Sequence, residues 1–280
     1  ALAELANHTT TGIHQRVEAT HSPEAELRAA AAESLERVPH AQRVPALTPL
    51  LTDPVKAVRM AATRGLSSVP AAELDATVSA KLEKAVAEYL AVQELSADMP
   101  GAQLNMATMF QNRGDASAAE THLLEALHID PDFTPARLNL AQLYSLSSRL
   151  RDAENVLRTG AKRTPGVGEI QYALGLLLAE ASQLPEAVKV LSIAAKLQPS
   201  RPRVHYNLGL AQQHLGNYKA AEHSLLAAQK LAQADPVIAY ALAVLYLQAG
   251  QIEKSRSAAQ TLQALNPSDP NLRPLLARLQ

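Results

Sequence analysis

Three tyrosines and three asparagines recur in this chain at a spacing suited to holding another chain. Tyr172, Tyr206 and Tyr240 stand 34 residues apart. Asn105, Asn139 and Asn207 fall one position later in the same register. A carboxamide donates and accepts at once, so a row of them can hold a peptide backbone without reading its sequence. Tyrosine adds a broad apolar face with a polar tip. The chemistry this predicts is non-covalent capture of an extended or helical protein segment. Leu104 and Leu138 share the tyrosine position, Gln142, Leu176, Leu210 and Val244 stand four residues beyond it, and His214 stands eight beyond Tyr206.

No other residues have the spacing of a reaction centre. His8, His14 and His21 are six and seven residues apart, with no acidic ligand at metal-like spacing. His205, His214 and His223 read as surface or packing histidines, with partner contact open to His214. Cysteine is absent, which removes disulfides, thiolate metal sites, a cysteine nucleophile and covalent haem attachment. Gly166-Val167-Gly168 lacks the strand–loop–helix context of a phosphate loop. No serine sits in a nucleophile-elbow sequence. Glu24 and Glu26 read as solvated. The expectation is a non-enzymatic protein with no catalytic residue, metal or cofactor of its own.

The elements that position the tyrosines follow from the period. At position 20 of a 34-residue unit stand Ala119, Ala153, Ala187, Ala221 and Ser255. At position 7 stand Met106, Leu140, Leu174, Leu208 and Leu242, and at position 8 Ala107, Ala141, Gly175, Gly209 and Ala243. A helix–turn–helix unit of about 34 residues is the tetratricopeptide (TPR) spacing. Five units are predicted: 100–133, 134–167, 168–201, 202–235 and 236–269. Each has a helix A over unit positions 1–14 and a helix B over about 17–30. Between them come Gly114-Asp115, Ser148-Arg149, Ser182-Gln183, Gly216-Asn217 and Gly250-Gln251. Prolines at position 32 end helix B. Gln233 breaks that pattern, and Pro236 follows, so this connection is expected to run differently.

The TPR resemblance implies a concave groove lined by helix A, with unit positions 2, 5, 6, 9, 12 and 13 facing it. On that basis Leu104, Leu138, Gln142, Leu176, Leu210, His214 and Val244 join the partner-binding surface. The groove is then amide-lined at Asn105 and Asn139 and turns aromatic and aliphatic toward Tyr206, Tyr240 and Val244. The lysine and arginine clamp of chaperone-binding TPR domains is missing, since Arg203 and His214 are the basic residues at these positions.

The first segment repeats with an offset of 31. Ser22-Pro23 through Ala32 parallels Asp53-Pro54 through Ala62, and the match continues through Leu35/Leu66, Val38/Val69 and Pro39/Pro70. Ser22 and Asp53 are expected to cap helices that have proline at their first position. An arginine follows five residues after each proline, Arg28 and Arg59. This resembles a short HEAT-like repeat, whose arginine bonds across to neighbouring repeats. Residues 1–70 are read as HEAT-like, with poor helix at His8–Gly12. A connecting and capping segment covers 71–99, with one helix over 71–96. A terminal capping helix covers 270–280. The fold class is all-α, an α-α superhelix.

Composition agrees. Hydrophobic residues make up 47% of the chain but aromatics only 3%, which suits closely packed helices. The net charge of −1 divides into −4 over residues 1–99 (9 basic, 13 acidic) and +3 over 100–280 (17 basic, 14 acidic). Neither half has the basic footprint of a nucleic-acid binder. The longest apolar run, Val237–Leu247, is too short to cross a bilayer.

The order of modules carries a further resemblance. Leu51-Thr52-Asp53-Pro54-Val55-Lys56-Ala57-Val58-Arg59 is followed by Ala87–Gln93, Ala97-Asp98-Met99-Pro100, Arg113-Gly114-Asp115, Ile129–Phe133, Pro135–Ala141 and Ala173–Leu176. Over about 22–230 this is similar to the C-terminal half of bacterial multihaem c-type cytochromes. The resemblance implies a periplasmic protein, otherwise a bacterial cytoplasmic one, with a cytochrome or redox-complex subunit as partner and haem c only upstream of Ala1. The chain itself has no Cys-x-x-Cys-His.

Overall fold

The computed structural model describes residues 10–279, which form helices and turns with no strand among them. His8 and the start of the His8–Gly12 stretch lie outside the described residues. The chain divides into two compact units, Ala1–Ala136 and Arg137–Gln280.

The first unit begins with α1 (Thr10–Ala19), α2 (Ala25–Ser34), α3 (His40–Leu47), α4 (Lys56–Ser67) and α5 (Ala76–Glu94). Residues related by the 31-residue offset share one core: Leu35 and Leu66, Val38 and Val69 are all buried with Leu47, Leu82, Val86 and Tyr89. Ser22 and Asp53 are not helix N-caps. Each accepts from the backbone two residues on, Glu24 N at 3.2 Å and Val55 N at 2.8 Å, and the helices start after that turn. The reason is visible at Asp53, whose carboxylate is held by Arg28 at 2.7 and 3.0 Å. Arg59 repeats the motif one unit on and clasps both oxygens of Glu88 on α5. The expected cross-repeat arginine bonds are therefore present, and α5 supplies the acid for the second.

Two helix boundaries differ from expectation. Thr10, Thr11 and Gly12 open α1 rather than interrupting helix. The helix expected over 71–96 starts at Ala76, because Asp75 accepts from Val78 N at 2.8 Å and caps it there, leaving a 3-10 turn at Ala71–Glu73.

The same unit continues into α6 (Pro100–Asn112) and α7 (Ala116–Ile129). Asn112 on α6 donates to Ser67 Oγ of α4 at 2.7 Å. The second unit takes most of α8 (Thr134–Leu146), then α9 (Leu150–Arg163), α10 (Gly168–Glu180), α11 (Leu184–Leu197), α12 (Pro202–His214), α13 (Tyr218–Leu231), α14 (Pro236–Gln248), α15 (Ile252–Leu265) and α16 (Leu272–Ala277). The first helices of the five pairs begin at 100, 134, 168, 202 and 236, and the second helices at 116, 150, 184, 218 and 252. Gln233 does not disturb this register. Asp235 caps α14 by accepting from Val237 N, and Pro236 takes the first helical position, where its missing N–H is harmless.

Packing within each pair follows the period. Ala119, Ala153, Ala187, Ala221 and Ser255 are all fully buried. Ser255 fits where alanine otherwise stands because its hydroxyl donates to Ala243 O at 2.7 Å. At Gly175 an added Cβ would lie 2.6 Å from Leu191 Cγ, so the small residue on one helix is filled by the leucine of its partner. Every pair turns through a left-handed residue at unit position 15: Gly114, Ser148, Ser182, Gly216 and Gly250, with φ from 58° to 80°. The next N–H then reaches back to the first helix, as in Arg149 N to Tyr144 O at 2.8 Å. The last helix is shorter than the 270–280 expected, and buries Leu272 and Leu275 against α14 and α15 with Leu276 partly covered.

Candidate partner-binding surface

In the second unit the tyrosines occupy equivalent places on α10, α12 and α14. The Tyr172 and Tyr206 rings pack against a core shared with the next hairpin, and the Tyr240 ring against one shared with α16. Tyr172 packs beside Val204 and Leu208, Tyr206 and Leu210 beside Ile238 and Leu242, and Tyr240 and Val244 beside Leu272 and Leu275. All three rings remain half-buried. Burial pushes the Tyr206 phenol above its usual range, opposed by the Arg203 guanidinium 5.9 Å from the ring centroid. Leu176 is 37% exposed, and Gln142 and His214 are exposed. Leu138 and Asn139 on α8 are half-buried. The face is thus mostly uncharged and apolar, with polar groups at its margins.

The asparagines are more committed internally than their spacing suggested. Asn207 donates to the Tyr172 hydroxyl at 2.5 Å, which ties adjacent hairpins together. In the first unit Asn105 donates to Gln93 Oε1 at 2.9 Å. Asn105 lies there with Thr108, Asn112 and Tyr89 around a polar recess of about 200 Å³, and Leu104 is half-buried on the same helix. The amides therefore serve as inter-helix ties as well as candidate contacts.

One residue in this register was missed. Leu146 is 76% exposed, and its signal is the register itself, since it stands 68 residues before His214. Arg203, already placed among the groove positions by the register, stands at the unit position occupied by Glu169 and Val237 in the neighbouring repeats.

Charged groups elsewhere make structural ties. Arg158 holds Glu186 at 2.6 and 2.8 Å and Glu154 at 2.7 Å, joining α9 to α11. Tyr246 donates to Glu222 at 3.0 Å, Lys254 donates to the same oxygen at 2.8 Å, and the ammonium lies 5.2 Å from the Tyr246 ring. Among the described residues no three His, Cys, Asp or Glu side chains gather as metal ligands. No helix of the described residues is long and apolar enough to cross a membrane.

Comparison with known proteins agrees with this architecture. Residues 13–97 match the HEAT-repeat profile; residues 110–177 and 206–270 match two tetratricopeptide-repeat profiles, and 175–216 a third TPR profile. No curated protein sequence matches the chain. The chain is similar to the crystal structure of YrrB, a TPR protein with an unusual peptide-binding site, at 16% identity and TM-score 0.57, over 66% of this chain and 96% of that one. It is similar to PilF of Pseudomonas aeruginosa at 22% identity and TM-score 0.55, over 64% and 82%. It is also similar to MamA of Desulfovibrio magneticus RS-1 at 18% identity and TM-score 0.53, over 61% and 97%. These likenesses establish the fold, and the profile matches show that the chain carries HEAT repeats followed by tetratricopeptide repeats.

Proposed function

We propose that the chain is a non-enzymatic scaffold that binds a protein segment along the helix-A face of its second unit. The observation that carries this reading is the repeated half-buried tyrosine, one per hairpin on α10, α12 and α14, packed against the core of the next hairpin or, for Tyr240, of α16. Rigid amphipathic rings supply contact area at low entropic cost. Leu176, Leu210 and Val244 extend the apolar strip, and Gln142, His214 and Asn139 offer polar contacts beside it. Leu138 continues the strip on α8, and Leu104 and Asn105 form a separate contact in the first unit. YrrB, whose fold is similar, is described as having a peptide-binding site, which supports a peptide ligand here.

The domain plan that goes with this reading is HEAT-like repeats over 1–70, a connecting segment over 71–99, five TPR units over 100–269 and a cap over 270–280. The alternative, a haem-free docking region of a periplasmic multihaem cytochrome, rests on sequence resemblance alone.

A displayed peptide library selected on the full chain would supply a ligand. Replacing Tyr206 and Tyr240 by alanine and Leu176 by glutamate should then weaken that ligand at least about tenfold, the scale of central aromatic anchors. Circular dichroism should show helicity unchanged. Equal affinity in the variant overturns the assignment of this face.

A further inference from the structure

The first unit contains a second surface whose chemistry differs from the tyrosine face. A recess of about 590 Å³ lies between the Asp53-Pro54 turn and α5, with Leu51, Pro54 and Ala85 forming its apolar part. Both carboxylates on its wall already have cationic partners. Asp53 is held by Arg28 and Glu88 by Arg59, and the Arg59 guanidinium also donates to the backbone oxygens of Asp53 and Pro54. Lys81 and Lys84 line the same recess, one turn apart on α5. Both are exposed, and among the described residues neither forms an ion pair. Lys56 and Lys84 act on Glu88 from outside its arginine pair, helping to hold its carboxyl below the usual range. With each of these two acids paired to an arginine, Lys81 and Lys84 are the lining cations that have no ion-pair partner among the described residues, and Lys56 adds positive charge nearby. This stands out within a segment whose net charge is −4 over residues 1–99 (9 basic, 13 acidic).

We infer that this recess, centred on Lys81 and Lys84, docks an acidic segment of a protein partner that sets a side chain against Leu51, Pro54 and Ala85. A protein segment fits better than a small anion. The arginine forks that grip phosphate are occupied, and the free cations are flexible ammonium groups that act as point charges. A recess of this size also leaves most of its volume empty around one phosphate. The acidic segment around it rules against the broad basic footprint that nucleic acid or an anionic membrane needs. Exposed lysines contribute modestly to affinity and more to encounter and register. The docking is therefore salt-sensitive.

The test is fluorescence anisotropy of the full chain with a fluorescein-labelled peptide of Glu-Glu-Leu repeats. Saturable binding is expected, weakened about fivefold or more in the Lys81→Gln/Lys84→Gln variant, the scale of two exposed ion pairs. It should weaken severalfold in about 0.5 M NaCl, where the Debye length falls to about 4 Å. A Gln-Gln-Leu peptide should not bind, and the Tyr206→Ala/Tyr240→Ala variant should bind like the wild type. Glutamine at two exposed helix positions leaves the fold intact, which circular dichroism checks. Three results overturn the inference: no saturable binding, equal binding by the lysine variant, or displacement by inorganic phosphate as effective as by unlabelled Glu-Glu-Leu peptide. The last would assign the recess to a small anion.

Discussion

Ser148 and Ser182 hold φ of 58° and 59° at the turn position where the other three hairpins use glycine. A side chain in that conformation costs about 1 kcal/mol, part of which glycine returns through its greater freedom in the unfolded chain. Ser148→Gly and Ser182→Gly should each stabilise the second unit by about 0.5–1 kcal/mol, read from the midpoint of urea unfolding. Gly160 presents the opposite case. An alanine Cβ there would lie 2.2 Å from Arg137 Cδ and 3.1 Å from Ile170 Cδ1. Arg137 is buried, and its guanidinium donates to Val156 O at 3.1 Å, so it has little room to withdraw. Gly160→Ala, which helix propensity alone would favour, should destabilise by about 1–3 kcal/mol in the same measurement. The sequence showed a glycine at this place but not why, because the residue that fills the space is 23 positions away and arginine is seldom a core filler.

At the scale of elements, helices are joined by ties that titrate. Tyr246 on α14 is buried, and burial, aided by its hydrogen bond to Glu222 of α13, pushes its hydroxyl up from the ordinary phenol value near 10 to about 12. The folded state therefore holds this proton more tightly than the unfolded state. The contribution is complete below about pH 10 and is lost as pH rises toward about 12. Tyr246→Phe should flatten the alkaline limb of a stability-versus-pH curve between those values, and an unchanged limb would show that the proton is not linked to folding. Asp53 titrates in the opposite sense. The hydrogen bonds from Arg28 hold its carboxyl below the usual carboxylate range, against the effect of burial. Its stabilisation is present at neutral pH and disappears as pH falls through that lowered value. Asp53→Asn should make acid unfolding of the first unit less steep, followed by circular dichroism between neutral pH and about pH 2. The helices themselves were legible, because small residues at unit positions 8 and 20 and large apolar residues at position 7 recur in every pair. What the period does not carry is which polar group takes which partner. Asp53 looked like a cap until Arg28 claimed it, and Asn207, a candidate partner contact by its spacing, donates to Tyr172 of the preceding hairpin. Such pairings depend on side-chain reach across repeats, which spacing along the chain does not encode.

At the scale of the molecule, the later hairpins of the second unit share buried apolar cores with their neighbours, and the last one depends on α16. Leu272→Asp with Leu275→Asp should lower the opening free energy of α14 and α15 by about 2–4 kcal/mol in hydrogen exchange, with protection of α2 to α5 unchanged. Loss of protection throughout the chain would mean that stability is not local in this array. The register of the helix starts has another consequence. They recur at 34 residues without drift, and Gly175 and Gly209 receive Leu191 and Leu225 in the same way. Excision of Leu184–Asn217 would therefore join α10 to α13 with matching surfaces, whereas a cut one residue shorter would turn every later face away from its neighbour. A gene of this kind can grow or shrink by unequal recombination, but only in whole hairpins, and an event within the last three adds or removes one tyrosine from the strip.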